Sequence, residues 1–161
     1  MEPWANFFLG ELGASAALAG LLFVSLSVNQ SRILELGRIA ERGLEALIML
    51  LLVLVVSSLA LVPAQTPRLF AGEILLVAMM QLTALTYLER VQWSTLEPQY
   101  RSITLRMFIL SHVATWFVIA AAATLLWRGD WIGLYVLPAG MLLSFITSGM
   151  NAWVLLIEIN R

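Results

Sequence analysis

An all-α fold, a polytopic membrane helix bundle of five transmembrane helices, is predicted by three observations. The 161 residues are 61% hydrophobic and only 12% charged, and the mean hydropathy is +0.91. Soluble domains average about half apolar and about a quarter charged, so this is the composition of a chain solvated by lipid. Five apolar runs, about 7–28, 44–63, 69–88, 107–127 and 131–157, each exceed the ~17 residues needed to cross the hydrocarbon core. Lipid offers the backbone no hydrogen-bond partners, so each run must satisfy its own as a helix. Finally, all nine basic residues are Arg, and they gather at alternate connections. The connections leave no room for a soluble domain, so residues 1–161 read as a single transmembrane domain.

The arginines set the orientation. Arg32, Arg38 and Arg42 lie between the first two spans, and Arg90, Arg101 and Arg106 lie between the third and fourth. Arg161 ends the chain, while Arg68 and Arg128 stand alone at the other connections. The positive-inside rule then places the N-terminus outside and the C-terminus in the cytoplasm. Trp4, Phe7, Phe70, Trp127 and Trp131 fall at one interface, with Tyr87, Trp93 and Trp153 near the other. No positive charge precedes the first run, so it reads as a retained span rather than a cleaved leader.

The first span, FFLGELGASAALAGLLFVSLSV, carries two unusual faces. Gly13, Ala16, Ala17 and Gly20 form a small-residue, helix-packing surface that lets another backbone come close. Glu11, Ser15, Ser25 and Asn29 fall near the opposite side. Both features predict a helix at the centre of the bundle, its polar face turned toward Glu73 or the fifth span. The 29–43 connection mixes Ile33, Leu36 and Ile39 with charges and reads as helical extensions broken near Gly37, with a solvated charged face. Glu45 opens the second span, where a negative charge complements the helix N-terminus.

Pro63 to Arg68 reads as a tight turn. In the third span Glu73 lies about one turn inside the outer edge, as Glu11 does in the first. If their helices are neighbours, the two carboxylates can share a proton or cation. Ser94 to Glu97 has the spacing of a capping box, but Pro98 argues for a turn. His112, the one histidine, stands among apolar residues of the fourth span and reads as an interhelical hydrogen-bonding group. Zinc needs three or four ligands, which one His and no Cys do not supply. A b-type haem with His112 as axial ligand stays open without further support; no cofactor or metal is predicted. Arg128-Gly129-Asp130 spells an adhesion tripeptide but reads as a hairpin turn. In the fifth span Gly140, Ser144, Thr147, Asn151 and Glu158 share one helical face, with Ser148 beside it. Pro138 with Gly140 predicts a kink there.

Several function classes drop away. With no Cys, thiolate and Fe–S chemistry are excluded. The net charge of −1 and scattered arginines argue against nucleic acid. No P-loop, GxSxG or HExxH pattern occurs, so an enzyme is the weakest class. The run FFLGELGASAALAGLLFVSLSVN, residues 7–29, resembles the N-terminal span of a loose group of small uncharacterised bacterial membrane proteins. Some of these are labelled modulators of the membrane-bound AAA protease. The resemblance implies the bacterial cytoplasmic (inner) membrane and transfers no functional residue.

Two functions are expected. The first is an oligomeric channel or transporter for an ion or small solute, with Glu11, Ser15, Glu73, His112, Ser144, Thr147 and Asn151 as pathway candidates, because charge in a span is costly and marks ion pathways. The second is a non-catalytic partner or modulator of a larger bacterial membrane complex. Either way the partners are the lipid bilayer and a second copy or another membrane protein.

Overall fold

The apolar runs fold as five long helices in the computed structural model, which describes residues 2–31, 33, 40–95 and 101–159. They are α1 (Ala5–Val28), α2 (Ala40–Ala60), α3 (Pro67–Thr95), α4 (Arg101–Arg128) and α5 (Leu137–Ile159). All five are long and apolar enough to cross a membrane. The helical expectations for 34–39, with the break at Gly37, and for Leu96 to Pro98 lie outside the described residues, as does the side chain of Glu158.

Four helices close a ring: α2 packs on α3 and α5, and α4 packs on the same two from the other side. The chain alternates direction at each connection, so one end of the ring gathers the 61–66 and 129–136 connections. We call it the hairpin end, and the opposite one the arginine end. At the hairpin end the interior is apolar except for Ser57, which is buried with its hydroxyl unpartnered. Val53 and Val56 of α2, Phe70 and Ile74 of α3, and Val118 and Leu125 of α4 are all fully buried there. Gly140 lets α5 lie close against α4: a Cβ there would stand 2.8 Å from the Ala114 carbonyl.

The two hairpin connections are turns with identifiable causes. Ala64 takes a positive φ of 58° in the 61–66 turn, and Gly129 takes 68° just past the end of α4. The Gly129 N–H bonds the Leu125 carbonyl at 2.9 Å, a helix C-terminus closed by a left-handed glycine. Asp130 then accepts from the Ile132 N–H and starts a short 3-10 turn, Trp131–Tyr135. The Arg-Gly-Asp run is therefore turn chemistry, with Arg128 Nε 3.2 Å from Asp130 Oδ2.

Three expectations need correction. The 131–157 run is not one helix: the 3-10 turn precedes α5, which begins at Leu137. Pro138 therefore sits in the first turn of α5, where no intrahelical N–H is required, and starts the helix instead of kinking it. Second, α1 is the edge helix, packed mainly on α2. Inside the protein 17% of its span is buried, against 56% for α2, which takes the centre. An apolar helix pays no hydrophobic penalty for facing lipid, so small residues do not force it inward. Third, α3 and α4 run past the apolar boundaries at the arginine end, to Thr95 and from Arg101, while α2 starts at Ala40 as the expected helical extension. That extension carries charged residues into the ring.

Candidate functional site

The buried face of α2 begins with two ionisable residues, Arg42 and Glu45, and continues through Ala46, Met49 and Val53. Residues three and four apart share a helix face, so the two charges follow the apolar stripe into the ring. Arg42 is 9% exposed and Glu45 1%. Each reaches across to α4. The Ser111 hydroxyl donates to Glu45 Oε1 at 2.7 Å. The same hydroxyl lies 3.1 Å from the Met107 carbonyl. It has one hydrogen to give, and the shorter, charge-assisted contact to Glu45 is the stronger claim on it. Arg42 Nη2 donates to Thr104 Oγ1 at 2.9 Å, and Nη1 faces the Met107 sulfur at 3.6 Å. Among the described residues no carboxylate lies within ion-pair reach of Arg42.

A second carboxylate belongs to α3. Glu89 and His112 face one another with Oε1 and Nδ1 3.1 Å apart, their side chains 13% and 29% exposed. Nδ1 is also 3.0 Å from the Phe108 carbonyl. A carbonyl only accepts, so Nδ1 carries the hydrogen in that bond. Its direction favours Phe108, and Glu89 Oε1 makes no hydrogen bond of its own. The Glu89 contact is thus an electrostatic one with the ring edge. Glu45 and Glu89 are near enough to feel one another's charge.

Nearer mid-span, Gln81 of α3 is buried and its Nε2 reaches the Met49 sulfur at 3.0 Å and Thr115 Oγ1 at 3.3 Å. Thr115 in turn donates to the Ser111 carbonyl. Polar groups therefore climb from Arg42 and Thr104, through Glu45 and Ser111, to Gln81 and Thr115. Above them the apolar hairpin half begins.

The residues singled out from sequence divide into three groups. His112, Ser144, Thr147 and Asn151 all fall in the ring. Ser144 and Thr147 are buried but donate to their own helix, at the Gly140 and Leu143 carbonyls. Ser148 is the α5 hydroxyl that crosses to a neighbour, donating to the Ala46 carbonyl at 3.0 Å. Asn151 is 1% exposed, and both of its amide atoms lack a partner. Glu11 and Glu73 form the second group. Among the described residues no hydrogen bond joins them: Glu73 accepts from the Gln65 side chain, and Glu11 Oε2 is without a partner. The apolar core lies between both and the inner polar cluster. Ser15 is buried but bonds only the Leu12 carbonyl of its own helix. The third group, Gly13, Ala16, Ala17 and Gly20, is exposed, and nothing lies within 4 Å of a Cβ built at Gly13 or Gly20. Among the described residues this surface packs against no other helix.

Arg42, Glu45, Ser111 and Glu89 escaped sequence reasoning as site residues, whereas Gln81, a polar residue within an apolar run, bonds across helices as such residues are expected to. Glu89 lies one residue beyond the 69–88 run, and Glu45 reads equally well as a helix-terminal charge. The available signal was the three-residue spacing of Arg42 and Glu45 in line with the apolar stripe of α2. Among the described residues no three His, Asp or Glu side chains gather as a metal site. Compared with known protein families, curated proteins and solved structures, the chain matches no family model, no curated protein and no solved structure.

Proposed function

We propose that the protein is a small integral membrane channel or transporter for an ion or small solute, assembled as an oligomer in the bacterial cytoplasmic membrane. The polar cluster of α2, α3 and α4 is its working site. Glu45 carries this reading: its carboxylate is 1% exposed inside the helix ring, held by one hydroxyl. Glu45 stands at the edge of its apolar run, so its cost is that of burying a carboxylate inside protein. Ionisable residues that face a bundle interior are the usual mark of an ion or proton pathway. Glu89 and His112 widen the site, and the apolar hairpin half is the barrier that must open. The pathway carboxylates of this proposal are thus Glu45 and Glu89 rather than Glu11 and Glu73.

Purified protein in liposomes is the test, with flux of protons, alkali cations and small solutes read separately. Glu45→Gln and Glu89→Gln should each abolish a flux that Glu11→Gln leaves within about twofold. A wild-type protein silent to every species would sink the proposal.

One observation favours the second reading, a partner subunit of a larger membrane complex. The Gly/Ala surface of α1 is unpacked among the described residues, and such surfaces join membrane helices. Recovery from gentle detergent as a stoichiometric complex with a different membrane protein would support it. A pure homo-oligomer would return the surface to self-assembly.

A further inference from the structure

Arg42 and Glu45 stand on one helix face three residues apart, near enough to pair, yet they reach away from one another. Arg42 goes to Thr104 and Glu45 to Ser111, seven residues apart on α4 and so about 10 Å apart along its axis. A guanidinium has five N–H groups. Two are engaged at Arg42, one of them only by a thioether sulfur, a weak acceptor. Buried cations are ordinarily paired, and among the described residues no carboxylate pairs with this 9% exposed guanidinium.

Asn151 supplies an independent sign at the same level. The Ser148 bond to Ala46 fixes the register of α5 against α2. The helices are antiparallel, so Asn151, three residues on, lies level with Gly43, beside Arg42. Close contact of Gly140 with Ala114 fixes the register against α4. Eleven residues on, Asn151 lies level with the first turns of α4, where Thr104 stands. On the helical wheel it falls within about 40° of Ser144 and Leu155, both fully buried, and is itself 1% exposed, so the amide turns into the ring. Neither its Oδ1 nor its Nδ2 has a partner. An orphaned buried amide costs about 1–3 kcal/mol per group, and a ligand would remove that cost. Arg42 and Thr104 also lie in the first turns of α2 and α4, whose N-termini carry the positive ends of the helix dipoles.

We propose that Arg42, Asn151 and Thr104 form a binding site for the carboxylate of a small organic acid. The planar guanidinium fork matches a carboxylate in two-point contact. Asn151 Nδ2 donates to the same group, and Oδ1 accepts from a hydroxyl of the ligand or from a water bound with it. Glu45, one turn from Arg42 on the same face of α2, is the nearby carboxylate, so the ligand binds against its charge. The site names the solute of the transport reading and rests on it for its role, but binding stands apart from flux.

Titration calorimetry on the full-length protein in detergent micelles tests the site, using sodium lactate, sodium acetate and sodium chloride at constant sodium. Saturable lactate and acetate binding is expected, weakened at least tenfold by Arg42→Gln and by Asn151→Leu. Glu45→Gln removes a repelling charge and should tighten binding severalfold while abolishing flux. Arg42→Lys and Asn151→Asp guard against misfolding, since each keeps a polar group of similar size. The first should bind less tightly than wild type, and the second should not bind. Absence of saturable lactate and acetate binding by the wild type, or complete displacement of lactate by equal chloride, overturns the carboxylate site. Carboxylate binding without flux overturns the transport reading alone, and cation flux without carboxylate binding overturns this site alone.

Discussion

At the scale of single residues, the cost of the site is concentrated in one hydroxyl. Ser111 is the donor that reaches the buried Glu45 carboxylate, at 2.7 Å. Deleting one partner of a buried group exposes the desolvation cost of the other, about 1–3 kcal/mol and more for a charge. Ser111→Ala should therefore lower thermal stability in detergent by about that amount. The loss should shrink in a Glu45→Gln background, because a neutral amide needs less support than a carboxylate. Equal losses in both backgrounds would mean that the hydroxyl does not serve the charge. The site was only half legible for the same reason that it is expensive. Sequence reasoning looks for polar residues inside apolar runs, and His112 and Asn151 announce themselves that way. Arg42, Glu45 and Glu89 stand at the edges of such runs, where charge is ordinary. Only the side-chain contacts to α4, from Arg42 and Glu45 on α2 and from Glu89 on α3, reveal that they turn inward.

Among the elements, helix number and approximate length follow directly from the apolar runs, because lipid permits no other spanning backbone. Helix ends and neighbours are less legible. Past the hydrocarbon, polar residues continue a helix without changing the apolar count, so α3 runs on to Thr95 unseen. The place of α1 was misread because a Gly/Ala stripe says that a backbone can approach, not which backbone does. The glycines now separate two kinds of contact. At Gly140 a Cβ would meet the Ala114 carbonyl at 2.8 Å and Phe117 Cβ at 3.0 Å. Gly140→Ala should overpack the α4–α5 contact and cost about 1–3 kcal/mol, read as a fall in melting temperature. At Gly13 nothing lies within 4 Å, so Gly13→Leu should leave monomer stability unchanged. If α1 is a docking surface, Gly13→Leu should instead dissociate the assembly in size-exclusion chromatography. A fall in melting temperature for Gly13→Leu with the assembly intact would contradict both the edge position and the docking role.

For the whole molecule, the ring, its polar arginine half and its apolar hairpin half make orientation the decisive property. The direction in which the Arg42 end faces determines from which side a solute meets the site. Seven of nine arginines belong to the α1–α2 and α3–α4 connections, their flanking turns and the C-terminus, and the positive-inside rule predicts from this that the Arg42 end faces the cytoplasm. The absence of cysteine makes this cleanly testable, since any introduced thiol is the sole reporter. Ala64, in the turn between α2 and α3, and Ser102, in the first turn of α4, are both exposed and at opposite ends of the ring. In intact cells a membrane-impermeant maleimide should label Ala64→Cys at once, and should label Ser102→Cys only after permeabilisation. The reverse pattern would turn the site outward and would require the carboxylate to be met from outside. Equal labelling of both would mean a dual orientation, which two copies in antiparallel arrangement could produce. Adding arginines to the 61–66 turn should then invert or mix the pattern, because the charge bias is the only orienting signal that the helices themselves do not supply.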